Sequence, residues 1–348
     1  QVVMQEWGEG LIASWNSAGW MAMPQRVGDK IGRLVGAAPG EVVAADSTSL
    51  NLYKVLAVAL ALQRADAPQR RVIVSERDNF PTDLYIADSL ARQHGCTLRL
   101  VDGADIAGTL DDELAVLMLT HVHYRSGRMH DMAALSRAAH DAGALVVWDL
   151  AHSAGAVPVA LHGRDGDGRD AADFAVGCGY KYLNGGPGAP AFVWLHPAHA
   201  ARMDAEGLWQ PLSGWLGHAA PFDFSPQYRP AQGVARFIAG TPSPMGLAAL
   251  ECGVDTLLAT EAHGGIAALR EKSLGLTRLF AALVEERCAG HGLSVVSPRD
   301  DAVRGSQVCL VRDDGAYAIV QALIARGVIG DFRAPDVLRF GFTPLYVG

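Results

Sequence analysis

The chain has 348 residues, half of them hydrophobic and 19% charged, with a formal net charge of −8. That composition belongs to a globular protein with a large core and excludes a disordered chain. The acidic balance, without a block of like charges, argues against a nucleic-acid surface.

At this length one large domain plus a smaller one is expected, since single domains hold roughly 100–200 residues. The longest apolar run, Val55–Leu62, is far shorter than the ~20 residues a bilayer span needs. The start, Gln1-Val2-Val3-Met4, shows no basic leader followed by an apolar segment. Five scattered cysteines (Cys96, Cys178, Cys252, Cys288, Cys309) form no C-x-x-C pair, which fits reduced thiols rather than disulfides or a zinc site. A soluble cytoplasmic protein, without membrane or nucleic-acid partners, is the expectation.

Taken in chain order, Val42–Asp46 reads as a short strand. Ser47-Thr48-Ser49 then caps an apolar helix to about Arg64. Arg71–Ser75 is a strand, followed by a turn at Asn79–Thr82 and a helix to about His94. Thr97–Val101 and Leu114–Thr120 are strands, Met132–Ala142 a helix stopped by Gly143, and Ala144–Trp148 another strand. Phe174–Gly177 and Ala191–Leu195 complete the series. Strand–helix alternation of this kind implies right-handed crossovers and a mostly parallel sheet, and runs apolar throughout imply cover on both faces. Helical patterns at Leu247–Thr260 and Ile266–Cys288 lead into strands near Leu293–Val296, Gln307–Val311 and Val337–Phe342. The expected division is a large domain over 1–245 and a small α+β domain over 246–348, with segment 1–40 free to pack with the small one. His162–Asp170 reads as a polar surface loop.

Ligands of open α/β sheets bind beyond the carboxyl ends of the strands. Ser47-Thr48-Ser49, Phe80–Asp83, Thr120, and Asp149 with His152 all fall there. The Ser-Thr-Ser turn suits a phosphate at a helix N-terminus, although an ordinary helix cap is the commoner meaning of such a turn. Asp149 could pair with a protonated ring nitrogen or serve as a cap. His121, His123 and His152 with Asp149 could be metal ligands, but no local spacing supports it. Lys181, set between tyrosines in Cys178-Gly-Tyr-Lys-Tyr-Leu-Asn-Gly-Gly-Pro-Gly188, has the context of a Schiff-base lysine. The order of phosphate turn, Phe80, Asp149 and Lys181 separates that meaning from a solvated surface lysine. No G-x-G-x-x-G follows a first strand, which argues against a nicotinamide-binding domain.

Asp46-Ser-Thr-Ser-Leu-Asn-Leu52, Asn79-Phe-Pro-Thr-Asp83, Trp148-Asp-Leu-Ala-His-Ser153 and Gly179-Tyr-Lys-Tyr-Leu-Asn-Gly185 resemble, in order, the motifs of the kynureninases. Gly214-Trp-Leu-Gly-His218 and Leu338-Arg-Phe-Gly-Phe342 do so too. The resemblance covers nearly the whole chain. It implies a fold-type-I pyridoxal-phosphate enzyme that hydrolyses L-kynurenine to anthranilate and L-alanine in tryptophan catabolism. By the same resemblance Thr48 and Ser49 bind the cofactor phosphate with Tyr180, and Phe80 stacks on the ring near Asp83 and Thr120. Asp149 pairs with the ring nitrogen, His152 lies beside the ring, and Lys181 carries the cofactor. Lys181, Tyr180 and Asp149 would be catalytic, and no metal is expected. Trp215 and Thr241 would reach the cofactor of a neighbouring subunit in a homodimer. Arg339 would clamp the substrate α-carboxylate. Trp15 with Gly240-Thr241 resembles the bacterial pattern, which favours kynurenine over its 3-hydroxy derivative. The family extends further at both ends, and its Tyr-Leu-Asp-Gly-Asn-Ser-Leu-Gly-like upstream string has no counterpart here. The His162–Asp170 loop is also longer than the family pattern.

Two other activities fit less well. A cysteine desulfurase or selenocysteine lyase places a histidine before the lysine and uses a mobile loop cysteine, whereas Tyr180 precedes Lys181 and Cys309 falls in a strand. A catalytically silent cofactor-fold module would have lost Lys181 or Asp149, and both are present.

Overall fold

The computed structural model describes residues 1–348. Helical turns over Val2–Ala13 lead through α1 (Ser14–Ser17) to α2 (Met23–Val35), which is followed by β1 (Val42–Ala44) and α3 (Thr48–Asp66). Next come β2 (Val72–Glu76), α4 (Pro81–His94), β3 (Thr97–Val101), β4 (Leu114–Thr120), α5 (Met132–Asp141) and β5 (Leu145–Asp149). β6 (Phe174–Gly177), β7 (Phe192–Leu195), α6 (Pro197–Glu206), α7 (Pro244–Leu258) and α8 (Gly265–Arg287) follow. The chain ends with β8 (Ser294–Val295), β9 (Gln307–Val311), α9 (Ala316–Ile324), β10 (Asp331–Arg333) and β11 (Val337–Gly341).

Seven strands form one sheet in the order β1-β7-β6-β5-β4-β2-β3. β7 runs antiparallel to both of its neighbours, β1 and β6, and every other pairing is parallel. The strands are apolar because both faces are covered. Trp148, Trp194, Leu117 and Leu119 enter the core on one side, while Val147, Phe174, Val176 and Val193 enter that on the other. α2 lies so close to β1 that a Cβ on Gly28 would stand 2.2 Å from the carbonyl oxygen of Val42. Leu247, Leu250, Val254 and Leu257 of α7 belong to the same core as α2. The second sheet, β10-β11-β9-β8, is antiparallel, with its own small core around Val308, Leu310, Val320 and Leu338. No helix is long and apolar enough to cross a membrane.

The expected strands and helices of the large sheet are all present, with ends shifted by one or two residues. β1 stops at Ala44 because Asp46 takes a left-handed conformation, φ 50°. α2, α6, α9 and β10 lie in stretches for which no element was expected.

Candidate active site

β1 ends beside the start of β7, and Asp46 and Ala191 stay joined through the amide of Ala191 at 2.9 Å. The sharp turn at Asp46 starts α3 immediately, with Ser47 as its cap accepting the amide of Leu50 at 3.3 Å. The amides of Thr48 and Ser49, in the first turn, have no partner within the helix, so with their hydroxyls they form an anion-binding end. Lys54, one turn and a half along, holds this turn in place. Its ammonium is wholly buried and lies 2.6 Å from both Asp46 Oδ2 and the carbonyl of Phe237. That lysine was not among the residues expected from the sequence to matter.

The floor comes from the ends of β2, β4 and β5. Asn79 organises it: its Oδ1 accepts from the Phe80 amide at 2.7 Å and from the Thr120 hydroxyl at 2.5 Å, while its Nδ2 donates to Ser75 Oγ at 3.2 Å. Phe80 is thereby held at the start of α4, edge-on to Tyr124 at 5.5 Å. Asp149, at the end of β5, accepts from the Ala151 amide at 2.7 Å and lies beside Asp83. Burial raises both carboxyls above their ordinary values, and the proximity of Asp149 pushes Asp83 further up. Asp83 is thus the neutral member of the pair, and Asp149 the ionised one.

His152 is buried, with Nδ1 lacking any partner and Nε2 3.4 Å from Nη1 of Arg339. Burial, reinforced by the charges of Lys181, Arg339 and Arg333, keeps it neutral far below the usual histidine range. His121 and His123 do not join it. His121 packs edge-on to Trp148 at 5.9 Å, and His123 donates Nε2–H to the Asp78 carbonyl at 2.8 Å. The four-residue metal grouping is therefore not assembled.

Lys181 follows the end of β6 in a tight loop. A Cβ on Gly179 would meet the Pro190 carbonyl at 2.3 Å, and Asn184 takes φ 59°. The chain holds only four lysines. Lys30 is paired with Glu251 and Asp255, Lys54 is buried against Asp46, and Lys272 donates to the Pro344 carbonyl at 2.6 Å. Lys181 alone faces the cavity of about 140 Å³ lined by Ser47, Thr48, Ser49, Phe80, Asp83, Thr120, Asp149, Ala151, His152 and Tyr180. Its ammonium lies 5.5 Å from the Tyr180 ring centroid. Burial raises the Tyr180 phenol, which is still half exposed.

Four expected residues stand outside this cavity. Thr241 lines a wider opening beside it with Thr48 and Tyr180, and its hydroxyl accepts from Trp215 Nε1 at 3.2 Å. Trp215 itself is exposed. Trp15 packs edge-on to Trp20 at 5.7 Å, in the N-terminal segment and away from the cavity. Arg339, on β11, borders the site through His152.

The family model for aminotransferase class-V matches residues 21–287, and that for the kynureninase C-terminal domain matches residues 269–348. The kynureninase of Pseudomonas fluorescens is 53% identical over 348 residues, covering 99% of this chain and 80% of that protein. The kynureninase of Burkholderia pseudomallei is 55% identical over 349 residues, with the same coverage. This chain belongs to the kynureninase family. Among solved structures, a cysteine desulfurase of Thermococcus onnurineus superposes with a TM-score of 0.77 at 20% identity, covering 94% of this chain and 80% of that one. A C-DES variant with glycine covalently linked to its PLP cofactor also gives 0.77, at 17% identity, covering 99% and 86%. Those two likenesses are of fold, and they place this kynureninase-family chain in the fold-type-I class.

The cavity suits the cofactor of that class. Pyridoxal phosphate brings an anion, a flat ring with a protonatable nitrogen, a phenolic oxygen and an aldehyde carbon. The cavity offers a helix N-terminus with hydroxyls, Phe80, Asp149, the unpartnered Nδ1 of His152 and a lone lysine.

Proposed function

We propose that this chain, with pyridoxal 5'-phosphate held on Lys181, hydrolyses L-kynurenine to anthranilate and L-alanine, a step of tryptophan catabolism. The observation that carries the reading is the single free lysine sharing a cavity with Asp149, in a chain more than half identical to kynureninases. When bound, the cofactor supplies an electron sink for the bond changes at the substrate's α-carbon.

The chain's own groups do the rest. Thr48 and Ser49, with the free amides of α3 and the Tyr180 hydroxyl, hold the phosphate. Phe80 covers the ring face, Asp149 keeps a proton on the ring nitrogen, and Asp83 and Thr120 orient Asp149. Lys181 Nζ removes the proton from Cα and returns one later. Water adds its oxygen to the γ-carbonyl carbon, the Cβ–Cγ bond breaks, and Cβ takes a proton. Tyr180 is placed to supply a proton in those later steps. Arg339 clamps the α-carboxylate.

The same reading has the enzyme working as a cytoplasmic homodimer, with Trp215 and Thr241 completing the neighbour's site. It divides the chain into a cofactor domain over 1–245 and a small domain over 246–348. A desulfurase activity is disfavoured by Cys309, the thiol in β9, which is wholly buried and pushed up to about 11.

The test is an absorbance scan of the purified protein with anthranilate fluorescence followed after adding L-kynurenine. A visible cofactor band with anthranilate release is expected. A band without anthranilate overturns the substrate assignment, and no band after adding pyridoxal phosphate overturns the role of Lys181.

A further inference from the structure

Arg339 is gripped at both of its terminal nitrogens. Nη1 donates to the carbonyl of Tyr124 at 3.0 Å, on the large-sheet side of the cleft. Nη2 donates to Oδ2 of Asp331, its direct cross-strand partner in the β10–β11 pair. The same carboxylate oxygen accepts from Arg333, two residues further along β10, at 2.7 Å. Arg333 keeps a buried Nε with no partner, and its charge is felt by both His152 and Tyr180.

An exposed ion pair between flexible side chains does little to fix geometry. Here the arginine is only 13% exposed while the carboxylate is 42% exposed. The side chain being held is therefore the inner one, beside the cofactor cavity, and the holder stands at the rim. A guanidinium recognises a carboxylate through two coplanar N–H groups, so the angle of its plane decides whether it can do so. Two arginines against one aspartate also leave a single positive charge at the mouth, which one ligand carboxylate neutralises.

We propose that Asp331 is a positioning residue for substrate recognition, fixing the plane of the Arg339 guanidinium for the α-carboxylate, with Arg333 anchoring Asp331 from the other side. This rests on Arg339 being the carboxylate clamp.

The experiment uses the cofactor-loaded protein and two ligands. L-alanine carries the α-carboxylate and no ring, and its binding is read from the cofactor absorbance. Anthranilate carries the ring and no α-carboxylate, and its binding is read from its fluorescence. Asp331→Asn is expected to weaken L-alanine about tenfold, the scale of one charge-assisted hydrogen bond. It should raise KM for L-kynurenine by a similar factor with kcat held, and leave anthranilate affinity unchanged. Arg333→Gln should shift L-alanine in the same direction by a smaller factor.

Unchanged L-alanine affinity in Asp331→Asn overturns the proposal. Tighter binding does so too, because Asp331 would then be competing with the ligand. A parallel loss of anthranilate binding points to general disorder of the small sheet and also overturns it. Arg339→Lys is the control: if that change leaves L-alanine affinity intact, the clamp assignment itself is wrong and the role of Asp331 falls with it.

Discussion

Asp83 and Asp149 lie side by side, buried, at the cavity that Lys181 faces. Burial and the neighbouring charge oppose ionising both, and Asp83, pushed up the further by burial and by Asp149, is the one that holds a proton. The arrangement leaves Asp149 negative toward the cavity. It also separates what the two residues do, although either alone could pass for the partner of a ring nitrogen.

Asp149→Asn removes the negative charge and should lower turnover at least about a hundredfold, the scale of losing one preorganised electrostatic partner. Asp83→Asn keeps a donor beside Asp149 and should retain bound cofactor with a much smaller loss. Cofactor content per chain and kcat, measured for both variants, check the assignment. Equal losses would mean that the two carboxyls act interchangeably.

The buried lysine and the cavity lysine should fail in different ways. Lys181→Ala should abolish the visible cofactor band while leaving the melting temperature of the cofactor-free protein nearly unchanged. Lys54→Met leaves Asp46 without its partner and should cost roughly 3–5 kcal/mol of stability, the usual result of breaking a buried ion pair. Denaturant melts of cofactor-free protein distinguish the two, and a Lys54→Met protein as stable as the parent would remove Lys54 from its structural role.

Much of this architecture is legible in the sequence, and the reasons are physical. Apolar runs such as Leu114–Thr120 and Ala144–Trp148 announce buried parallel strands, and polar residues just past their ends announce a site. β10 is not legible, because three residues with two charges carry no strand pattern. Asn79 and Lys54 act through partners far away in the chain: Thr120 for the first, Phe237 for the second. A lysine inside an apolar helix does not reveal a distant carbonyl. The Asp331–Arg339 pair is hidden in the same way, since a register must be known before cross-strand partners can be named.

Acid should destabilise the protein through two buried carboxylates. Glu76, beside His130 and Arg128, is held at about 2 against an ordinary 4.5, and Asp173, between His140 and His199, at about 2 against 3.8. For a depressed carboxylate the stabilisation is full above the ordinary value and is lost as pH falls through the folded one. Stability should therefore drop between about pH 4.5 and 2. Melting temperatures across that range check it, and Glu76→Gln should flatten part of the slope.

Gly179→Ala should disturb the loop that presents Lys181, because the added methyl would overlap the Pro190 carbonyl. Overpacking of this kind typically costs about 1–3 kcal/mol. Weaker cofactor retention is expected to accompany the loss of stability. A variant that binds cofactor normally would show that the loop can yield without moving the lysine.

The tie between Lys54 and Phe237 has a consequence for how the protein assembles. It closes a segment spanning most of the large sheet, and Arg339 must then reach Tyr124 from the far end of the chain. Contacts so remote in sequence are slow to form, because long loops must close before they stabilise anything. No early intermediate should therefore hold a finished pocket. During refolding, capture of the cofactor should lag behind the return of helical signal, so that its colour reports the last stage of folding rather than the first.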